Sequence, residues 1–301
     1  MERTYILHMF TPGRQMSPFD INMAVDAGYQ VVVPYCGVVA GDVAGLTQDA
    51  IFSRGPKGVK ATGIFIGGRD VLLAADMLES ARKAMVPPFE VSVIADPSGS
   101  YTTAAALVAC VERQLQRSHD TDFAGKRVLI LGGSGTVGRI AGVLAAGLGA
   151  EVTLASHRDA ATAQEAAKAT GERFGCRLDG AGLPGPQARR EALAQADVVL
   201  ATAAAGVQVV SVDERAAAVR LLVAADVNAV PPEGIAGVGV MDDGKALADG
   251  RAVGIGALAV GNVKYQTEHR LLAAMRNAEK PLYLGFREAF AKAREIVAEK
   301  G

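Results

Sequence analysis

Cysteine and histidine are scarce in this chain of 301 residues, and neither shows the spacing of a metal site. The three cysteines, Cys36, Cys110 and Cys176, lie far apart and form no C-x-x-C pair. An odd and scattered set is typical of small buried residues in a reducing compartment, and not of a disulfide framework or a zinc site. The four histidines form no metal-ligand pattern either, so we expect no metal.

Long apolar runs and an excess of charge of one sign are also absent. No run of about 18 apolar residues occurs, and the apolar part of the amino terminus is too short for a signal peptide. The formal net charge is −1, and no basic run is interleaved with aromatic residues. We therefore expect a cytoplasmic protein that binds neither nucleic acid nor a membrane surface.

Apolar residues are present in short runs that alternate with helical segments. Hydrophobic residues make up 50% of the chain, so a large core can form, and the length suggests two domains. The alternation of buried strands and helices predicts an α/β fold with largely parallel sheets. We interpret Cys176 to Pro186 as a Gly/Pro-rich connection. After Ala259 we expect no further strand, only helices that return to the first domain.

The best-defined stretch is residues 126–158, KRVLILGGSGTVGRIAGVLAAGLGAEVTLASHR. A β-branched run enters a turn with Gly133, Gly135 and Gly138 in G-x-G-x-x-G spacing, and a helix and a second strand follow. The first glycine is expected to make the tight turn, the second to let the backbone approach a pyrophosphate, and the third to let the helix pack on the strand. This βαβ unit predicts a Rossmann-type dinucleotide-binding domain.

The end of the second strand indicates which dinucleotide is bound. Sites selective for NAD usually place Asp or Glu there, to accept hydrogen bonds from the ribose 2′-hydroxyl. Here the chain reads Ser156-His157-Arg158, in which a hydroxyl and a guanidinium can hold a 2′-phosphate. NADP is therefore favoured and NAD stays possible. The alternative is that Arg158 is a solvated charge at the start of a helix.

Other residues suit a ligand-facing role because they follow strands. The segment Asp96–Thr103 carries five hydroxyl side chains and one carboxylate at the carboxyl end of a strand, where open α/β sheets bind ligands. Capping of the next helix is the alternative, and it explains one hydroxyl. Thr202 and Ala203 are small residues that let backbone lie against a cofactor. Lys264 is equally consistent with a site and with an ordinary solvated lysine.

Five short segments carry a resemblance to a known family. They are Pro18–Asp20, Asp96–Ala106, Gly133–Gly138, Asp226–Pro232, and Gly254–Leu258 followed by Lys264. Together, and in this order along nearly the whole chain, they resemble the NAD(P)-dependent methylene-tetrahydromethanopterin dehydrogenases of bacteria that grow on one-carbon compounds. The resemblance implies hydride transfer from methylene-tetrahydromethanopterin to NAD(P), which leaves the methenyl form, in formaldehyde oxidation. It also implies a homo-oligomer.

The resemblance further implies two α/β domains with a cleft between them. We expect a pterin-binding, catalytic domain of residues 1–121 plus 265–301 and a Rossmann NAD(P)-binding domain of residues 122–264. The implied substrate-binding residues are Phe19, Asp20, Ser98, Gly99, Ser100, Tyr101, Thr102, Thr103 and Lys264. The implied cofactor-binding residues are Gly133, Ser134, Gly135, Thr136, Val137, Gly138, Ser156, His157, Arg158, Thr202, Ala203, Asp226 and Asn228.

Asp20 and Lys264 are the expected catalytic residues. The methylene carbon lies between two nitrogens whose lone pairs stabilise the cation left behind by hydride, so no general base is needed. Asp20 is expected to favour the developing positive charge, and Lys264 to orient the pterin.

Three alternatives stay open. A methylene-tetrahydrofolate dehydrogenase performs the same chemistry, but the substrate region lacks, on our interpretation, a basic cluster for the glutamate tail of a folate. A non-catalytic NADP-sensing module would bind the dinucleotide without turnover. An enzyme resembling shikimate or quinone reductases would act on carbonyl substrates.

Overall fold

The computed structural model describes residues 4–157, 159–248 and 250–299. In chain order its elements are β1 (Ile6–Thr11), α1 (Pro18–Asp26), β2 (Val31–Cys36), α2 (Val43–Phe52), α3 (Pro56–Val59), β3 (Thr62–Ile66), α4 (Val71–Lys83), β4 (Ser92–Ala95), α5 (Ser100–His119), β5 (Arg127–Leu131), α6 (Thr136–Gly147), β6 (Glu151–Ser156), α7 (Ala160–Phe174), β7 (Asp179–Gly182), α8 (Pro186–Gln195), β8 (Val198–Ala201), α9 (Val212–Arg215), β9 (Val223–Asp226), β10 (Asp243–Ala246), β11 (Val253–Ile255), α10 (Ala257–Asn277), β12 (Tyr283–Leu284) and α11 (Phe286–Ala298). Strands and helices alternate along most of the chain, as the sequence predicts; the exceptions are the successive helices α2 and α3 and the successive strands β9, β10 and β11.

The chain divides into two compact units. Unit 1 comprises Met1–Thr102 and Tyr265–Lys292, and unit 2 comprises Thr103–Lys264 and Ala293–Gly301. The divisions fall inside the long helices α5, α10 and α11. The domain boundaries expected from the sequence stay a prediction.

Unit 1 is built on a sheet of five parallel strands in the order β12-β4-β3-β1-β2. Strand β3 is buried along its whole length, which is why it reads as an unbroken apolar run. Numbered from β1, the strands follow the doubly wound order 2-1-3-4-5, in which the ligand crevice lies outside the carboxyl ends of the first and third strands.

Strand β12 corrects the expectation that no strand follows Ala259. Tyr283 and Leu284 pair in parallel with Val93 and Ile94 at the edge of the unit 1 sheet. A strand of two residues carries no periodicity of its own, so its pairing depends on the sheet beside it. The expectation that the carboxy-terminal helices return to the first part of the chain agrees with the course of α10 through unit 1.

Unit 2 is built on a seven-stranded sheet in the order β10-β11-β9-β8-β5-β6-β7. Its strands are parallel except for the pairing of β10 with β11. Counted from β5 without the antiparallel β10, the strands from β7 to β11 follow the order 3-2-1-4-5-6, which is the order of the Rossmann fold. The predicted α/β class with a Rossmann-type domain is therefore confirmed. The strand order reverses between β5 and β8, and this switch point is where such sheets bind dinucleotides.

Strand β7 corrects the interpretation of residues 176–186 as a plain connection, and strand β10 was also not expected. The sequence of β7, Asp-Gly-Ala-Gly, has no β-branched residue, but its glycines face α7. A Cβ on Gly182 would lie 2.5 Å from the Ala160 nitrogen, and a Cβ on Gly180 would lie 2.5 Å from the Ala163 carbonyl carbon. The composition of β7 thus reflects the close packing of a helix and not strand propensity.

An aliphatic core of unit 2 lies on one face of its sheet, where register partners from neighbouring strands meet. Leu129, Leu131, Val199 and Ala224 are among its buried members. Within the described residues, no helix has both the length and the apolar composition that crossing a membrane requires.

Candidate dinucleotide and substrate sites

The turn between β5 and α6 brings backbone segments into contact that no side chain would allow. Gly132 has a φ of +77°, and a Cβ there would lie 2.7 Å from the Ala203 nitrogen. The motif alone suggests that Gly133 makes the tight turn. The residue with left-handed backbone is instead Gly132. A Cβ on Gly133 would lie 2.7 Å from both the Ile130 oxygen and the Leu154 Cα. Gly133 is thus required by close approach to β6, and Gly132 by conformation.

The amino terminus of α6 is arranged to receive an anion. Gly135 is the N-cap residue, with extended backbone, and no side chain in the described ranges caps the helix. The N–H groups of the first turn, at Thr136, Val137 and Gly138, are the ones that an α-helix leaves without intrahelical partners. Together with the positive end of the helix dipole, they form the kind of site that binds a pyrophosphate.

A cavity of about 560 Å³ lies beside this turn. Its walls are Gly132, Ser134, Gly135, Arg139, Ser156, His157, Thr162, Glu165, Ala166, Ala169, Thr202, Ala203 and Ala204. These residues follow the carboxyl ends of β5, β6 and β8, on both sides of the switch point, or lie on α6 and α7. Of the residues predicted from the sequence, Ser134, Gly135, Ser156, His157, Thr202 and Ala203 line it.

The prediction missed the helical wall of this cavity. Arg139 lies in the second turn of α6, and Thr162 and Glu165 lie on α7. The Arg139 Nε donates to Thr170 Oγ1 at 2.6 Å, and the Thr170 hydroxyl donates to the Ala166 carbonyl at 2.6 Å. The α7 residues that line the cavity have the spacing i, i+3, i+4 and i+7, which places them on one face of the helix: Thr162, Glu165, Ala166 and Ala169. This spacing is the sequence signal that could have indicated them.

The end of β6 lacks a carboxylate that faces the cavity. Ser156 is buried and His157 is exposed, and both line the cavity. Arg158 lies outside the described residues, so its predicted contact with a 2′-phosphate stays a prediction. Asp159 is the N-cap of α7, where its Oδ1 accepts from the Thr162 N–H at 2.6 Å and its Oδ2 is 3.1 Å from the Thr162 hydroxyl.

The loop after β4 is organised by Asp96, which is fully buried. Its Oδ1 accepts from the N–H groups of Tyr101 at 2.8 Å and Thr102 at 3.2 Å, and its Oδ2 accepts from the Thr102 hydroxyl at 2.5 Å. The Tyr101 hydroxyl donates to the Val71 carbonyl at 2.5 Å. The carboxylate and two of the hydroxyls thus stabilise the start of α5. Gly99 and Ser100 are also buried, and Thr103 is half-buried.

A second cavity, of about 770 Å³, lies within unit 1. Its walls are Thr11, Pro12, Gly13, Arg14, Gln15, Met16, Ser17, Pro18, Asp20, Gly68, Arg69, Asp70, Leu73 and Ser98. These residues follow β1, β3 and β4, so the cavity lies at the carboxyl ends that the strand order singles out. Ser98 has a left-handed backbone, and its hydroxyl donates to the Gly68 carbonyl at 2.7 Å, which joins two of the loops.

Asp20 and Ser98 are the predicted substrate residues that line this cavity. Asp20 is 2% exposed and lies in the first turn of α1, whose N-cap Ser17 accepts from the Asp20 N–H at 3.5 Å. Phe19 is 46% exposed. Arg14 and Arg69 are exposed and bring two positive charges to the cavity. The expectation that the substrate region lacks a basic cluster for the glutamate tail of a folate stays a prediction.

Comparison with known proteins identifies the family. Residues 18–98 match the family profile described as methylene-tetrahydromethanopterin dehydrogenase, N-terminal. The chain is 50% identical over 291 residues, 97% of its length and 98% of the relative's, to an NAD(P)-dependent methylenetetrahydromethanopterin dehydrogenase of Methylorubrum extorquens. The chain belongs to this family.

Two further similarities accompany this one. A protein of Methylorubrum extorquens named bifunctional protein MdtA is 31% identical over 278 residues, covering 92% of this chain and 94% of that protein. Ornithine carbamoyltransferase from Pyrococcus furiosus has a TM-score of 0.50 at 13% identity, covering 92% of this chain and 86% of that structure. The second similarity concerns the fold alone.

In this member of the methylene-tetrahydromethanopterin dehydrogenase family, Asp226 makes hydrogen bonds within its own loop, and Asn228 joins that loop to the loop after β8. Asp226 is 2% exposed and accepts from the N–H groups of Asn228 at 2.9 Å and Gly234 at 2.6 Å. The Asn228 Oδ1 accepts from the Gly206 N–H at 3.0 Å. Burial raises the pKa of the Asp226 carboxyl, and the backbone N–H groups act in the opposite direction. Their predicted contacts with the dinucleotide stay a prediction.

Lys264 of this family member is half-buried on α10. It is the last residue of the long segment of unit 2, and Tyr265 begins the return to unit 1. Its predicted role toward the substrate stays a prediction. No group of three or more metal-ligating side chains occurs within residues 4–157, 159–248 and 250–299.

Proposed function

We propose that this chain is an NAD(P)-dependent dehydrogenase that oxidises methylene-tetrahydromethanopterin to methenyl-tetrahydromethanopterin, in formaldehyde oxidation. The observation that carries the proposal is its 50% identity, over 97% of the chain, to a relative of that name. The enzyme needs a dinucleotide co-substrate and no metal. The two cavities supply one site in each unit.

The dinucleotide belongs in the cavity of unit 2. The glycines fit it, because Gly132, Gly133 and Gly138 occupy places where a Cβ would meet backbone or Thr202 at 2.7–2.8 Å. The N–H groups at the start of α6 would hold the pyrophosphate, and Ser156, His157 and Arg158 the ribose end. When bound, the nicotinamide supplies the hydride acceptor.

The pterin belongs in the cavity of unit 1. Asp20 places a buried carboxylate at its wall, and a negative charge in a region of low dielectric favours a developing cation. Ser98 holds the β3 and β4 loops together and so fixes the shape of the wall. Lys264 orients the pterin. These residues position and stabilise, and none has to remove a proton.

The step breaks one C–H bond of the methylene carbon, and the bonding electron pair leaves with the hydrogen as hydride. The two neighbouring nitrogens share the positive charge of the methenyl product. What the protein contributes is orientation of the two ligands to within about 3–3.5 Å, and a stabilising charge.

Isotope transfer tests this function directly. We expect that substrate carrying two deuterium atoms on the methylene carbon gives a reduced dinucleotide with one deuterium and a methenyl product that keeps the other, both measured by mass spectrometry. A reduced dinucleotide without deuterium would contradict direct transfer. Binding of dinucleotide without any reduction in the presence of the pterin would favour a sensing module.

Methylene-tetrahydrofolate stays the second candidate substrate. Arg14 and Arg69 at the wall of the unit 1 cavity favour it, because two guanidiniums can hold the carboxylates of a glutamate tail.

We further propose that residues 1–121 plus 265–301 form the pterin-binding domain and residues 122–264 the dinucleotide-binding domain. We also propose that the enzyme is a cytoplasmic homo-oligomer, which sedimentation equilibrium tests.

A further inference from the structure

The dinucleotide cavity has no carboxylate at the end of β6 but has one on its helical wall. At the end of β6, where an NAD-selective site carries Asp or Glu, the chain has Ser156 and His157. The next carboxylate, Asp159, is used as the N-cap of α7. Glu165, on α7, lines the same cavity and supplies a carboxylate from the helix.

The position of Glu165 is set by close packing. Gly180 and Gly182 let the first turns of α7 lie directly on the backbone of β7, since a Cβ at either glycine would come within 2.5 Å of that helix. Thr162, Ala166 and Ala169 share the wall with Glu165. Their side chains are short, so the long side chain of Glu165 has room beside them.

Glu165 is available to a ligand. It is exposed, and within the described residues its carboxylate makes no hydrogen bond or ion pair. Arg139, whose charge is opposite to that of Glu165, lines the same cavity from α6. Its Nε donates a hydrogen bond to the Thr170 hydroxyl on α7. The cavity therefore presents one anion and one cation on its helical walls.

These charges respond differently to the two dinucleotides. A carboxylate accepts a strong, charge-assisted hydrogen bond from a ribose hydroxyl, whereas it repels a 2′-phosphate. A guanidinium attracts the 2′-phosphate and donates hydrogen bonds to it. We propose that Glu165 is a specificity-determining residue, whose carboxylate accepts from the adenosine ribose hydroxyls of NAD and lowers the affinity for NADP. This inference rests on the dinucleotide part of the proposed function and is independent of the pterin.

The test compares Glu165→Gln with Glu172→Gln. Glu172 lies on the same helix but outside the cavity, in an exposed ion pair with Lys168 at 4.0 Å, so its variant loses the same charge elsewhere. The dissociation constants of NADH and NADPH are measured for each protein alone, from the fluorescence of the bound nicotinamide. We expect the ratio Kd(NADH)/Kd(NADPH) to rise about tenfold in Glu165→Gln and to stay at the wild-type value in Glu172→Gln.

Repulsion of the 2′-phosphate predicts a salt dependence as well. The gain in NADPH affinity on removal of the Glu165 charge should be larger at low ionic strength, because salt screens an exposed charge. A ratio that does not change in Glu165→Gln, or that changes equally in Glu172→Gln, overturns the inference and leaves the proposed function standing. If the wild-type protein binds neither dinucleotide, the proposed function itself fails.

Discussion

The Cα of Gly133 lies 2.7 Å from the point that a Cβ on Gly138 would occupy, so the first turn of α6 rests directly on the turn that leaves β5. The same Cβ would lie 2.8 Å from the Thr202 hydroxyl at the end of β8. The turn after β5, the first turn of α6 and the Thr202 side chain at the end of β8 therefore meet where the pyrophosphate is proposed to bind. This contact fixes the direction in which the N–H groups of α6 point.

Replacing Gly138 tests this contact. We expect Gly138→Ala to lower the free energy of unfolding by about 1–3 kcal/mol, because the methyl group forces backbone apart, and to weaken NADPH binding. Denaturant unfolding and fluorescence titration measure the two effects. Gly147→Ala is the control: it lies at the end of the same helix with nothing within 4 Å of an added Cβ, and should raise stability by about 0.4–1 kcal/mol. A Gly138→Ala protein that binds NADPH like the wild type would contradict the account.

Asp96 is expected to be structural. Asp96→Ala removes the acceptor of two N–H groups and one hydroxyl, all in a buried loop, and should lower the free energy of unfolding by about 1–3 kcal/mol. Asp70→Ala is a comparison, since Asp70 caps α4 from an exposed position by accepting from Leu72 and Leu73, and should cost about 1 kcal/mol. Equal losses in urea unfolding would contradict the dominant role given to Asp96.

Asp20 is expected to act on the chemical step. Asp20→Asn should lower kcat by about a hundredfold to a thousandfold with little change in KM, because the carboxylate stabilises charge that develops only in the transition state. Asp26→Asn, at the exposed end of the same helix, should keep the wild-type kcat. Steady-state kinetics with the pterin varied separates the two parameters. A change confined to KM would mean that Asp20 only binds substrate.

His8 predicts a pH dependence of stability. Burial, and secondarily the Arg54 charge, lower the pKa of His8 below its ordinary value of 6.5. At a pH between the lowered pKa of the folded protein and the value of 6.5 in the unfolded chain, the unfolded chain binds more protons than the folded one. The free energy of unfolding therefore falls as the pH drops below 6.5. Urea unfolding from about pH 7.5 to about pH 5.5 should show this loss, and His8→Gln should reduce its slope. An unchanged slope in the variant would assign the pH dependence to other groups.

Much of the fold can be predicted from the sequence where local pattern and tertiary packing agree. The buried strands β3, β5 and β8 are apolar runs, and the glycine motif marks the turn after β5. The strands that escaped prediction are formed by their neighbours: Gly180 and Gly182 of β7 accommodate a helix, and β12 is too short to show a pattern.

The candidate sites were less predictable, because they are assembled from separate loops and helices. Arg14 and Arg69 follow different strands, and no spacing relates them. Glu165 faces the dinucleotide cavity only because of the direction that α7 takes over β7. The sequence also predicts ligand-facing residues that the structure uses otherwise. The Tyr101 hydroxyl donates to the Val71 carbonyl, and the Thr102 hydroxyl donates to the Asp96 carboxylate.

The most direct test of the central claim is a stopped-flow assay of the purified protein with methylene-tetrahydromethanopterin, using NAD and NADP in turn, and the same pair with methylene-tetrahydrofolate. We expect rapid reduction of a dinucleotide with the methanopterin substrate and little with the folate. Efficient turnover of the folate alone would mean that methylene-tetrahydrofolate is the substrate. No reduction with either pterin, in a protein that binds NADPH, would contradict the assignment to one-carbon oxidation.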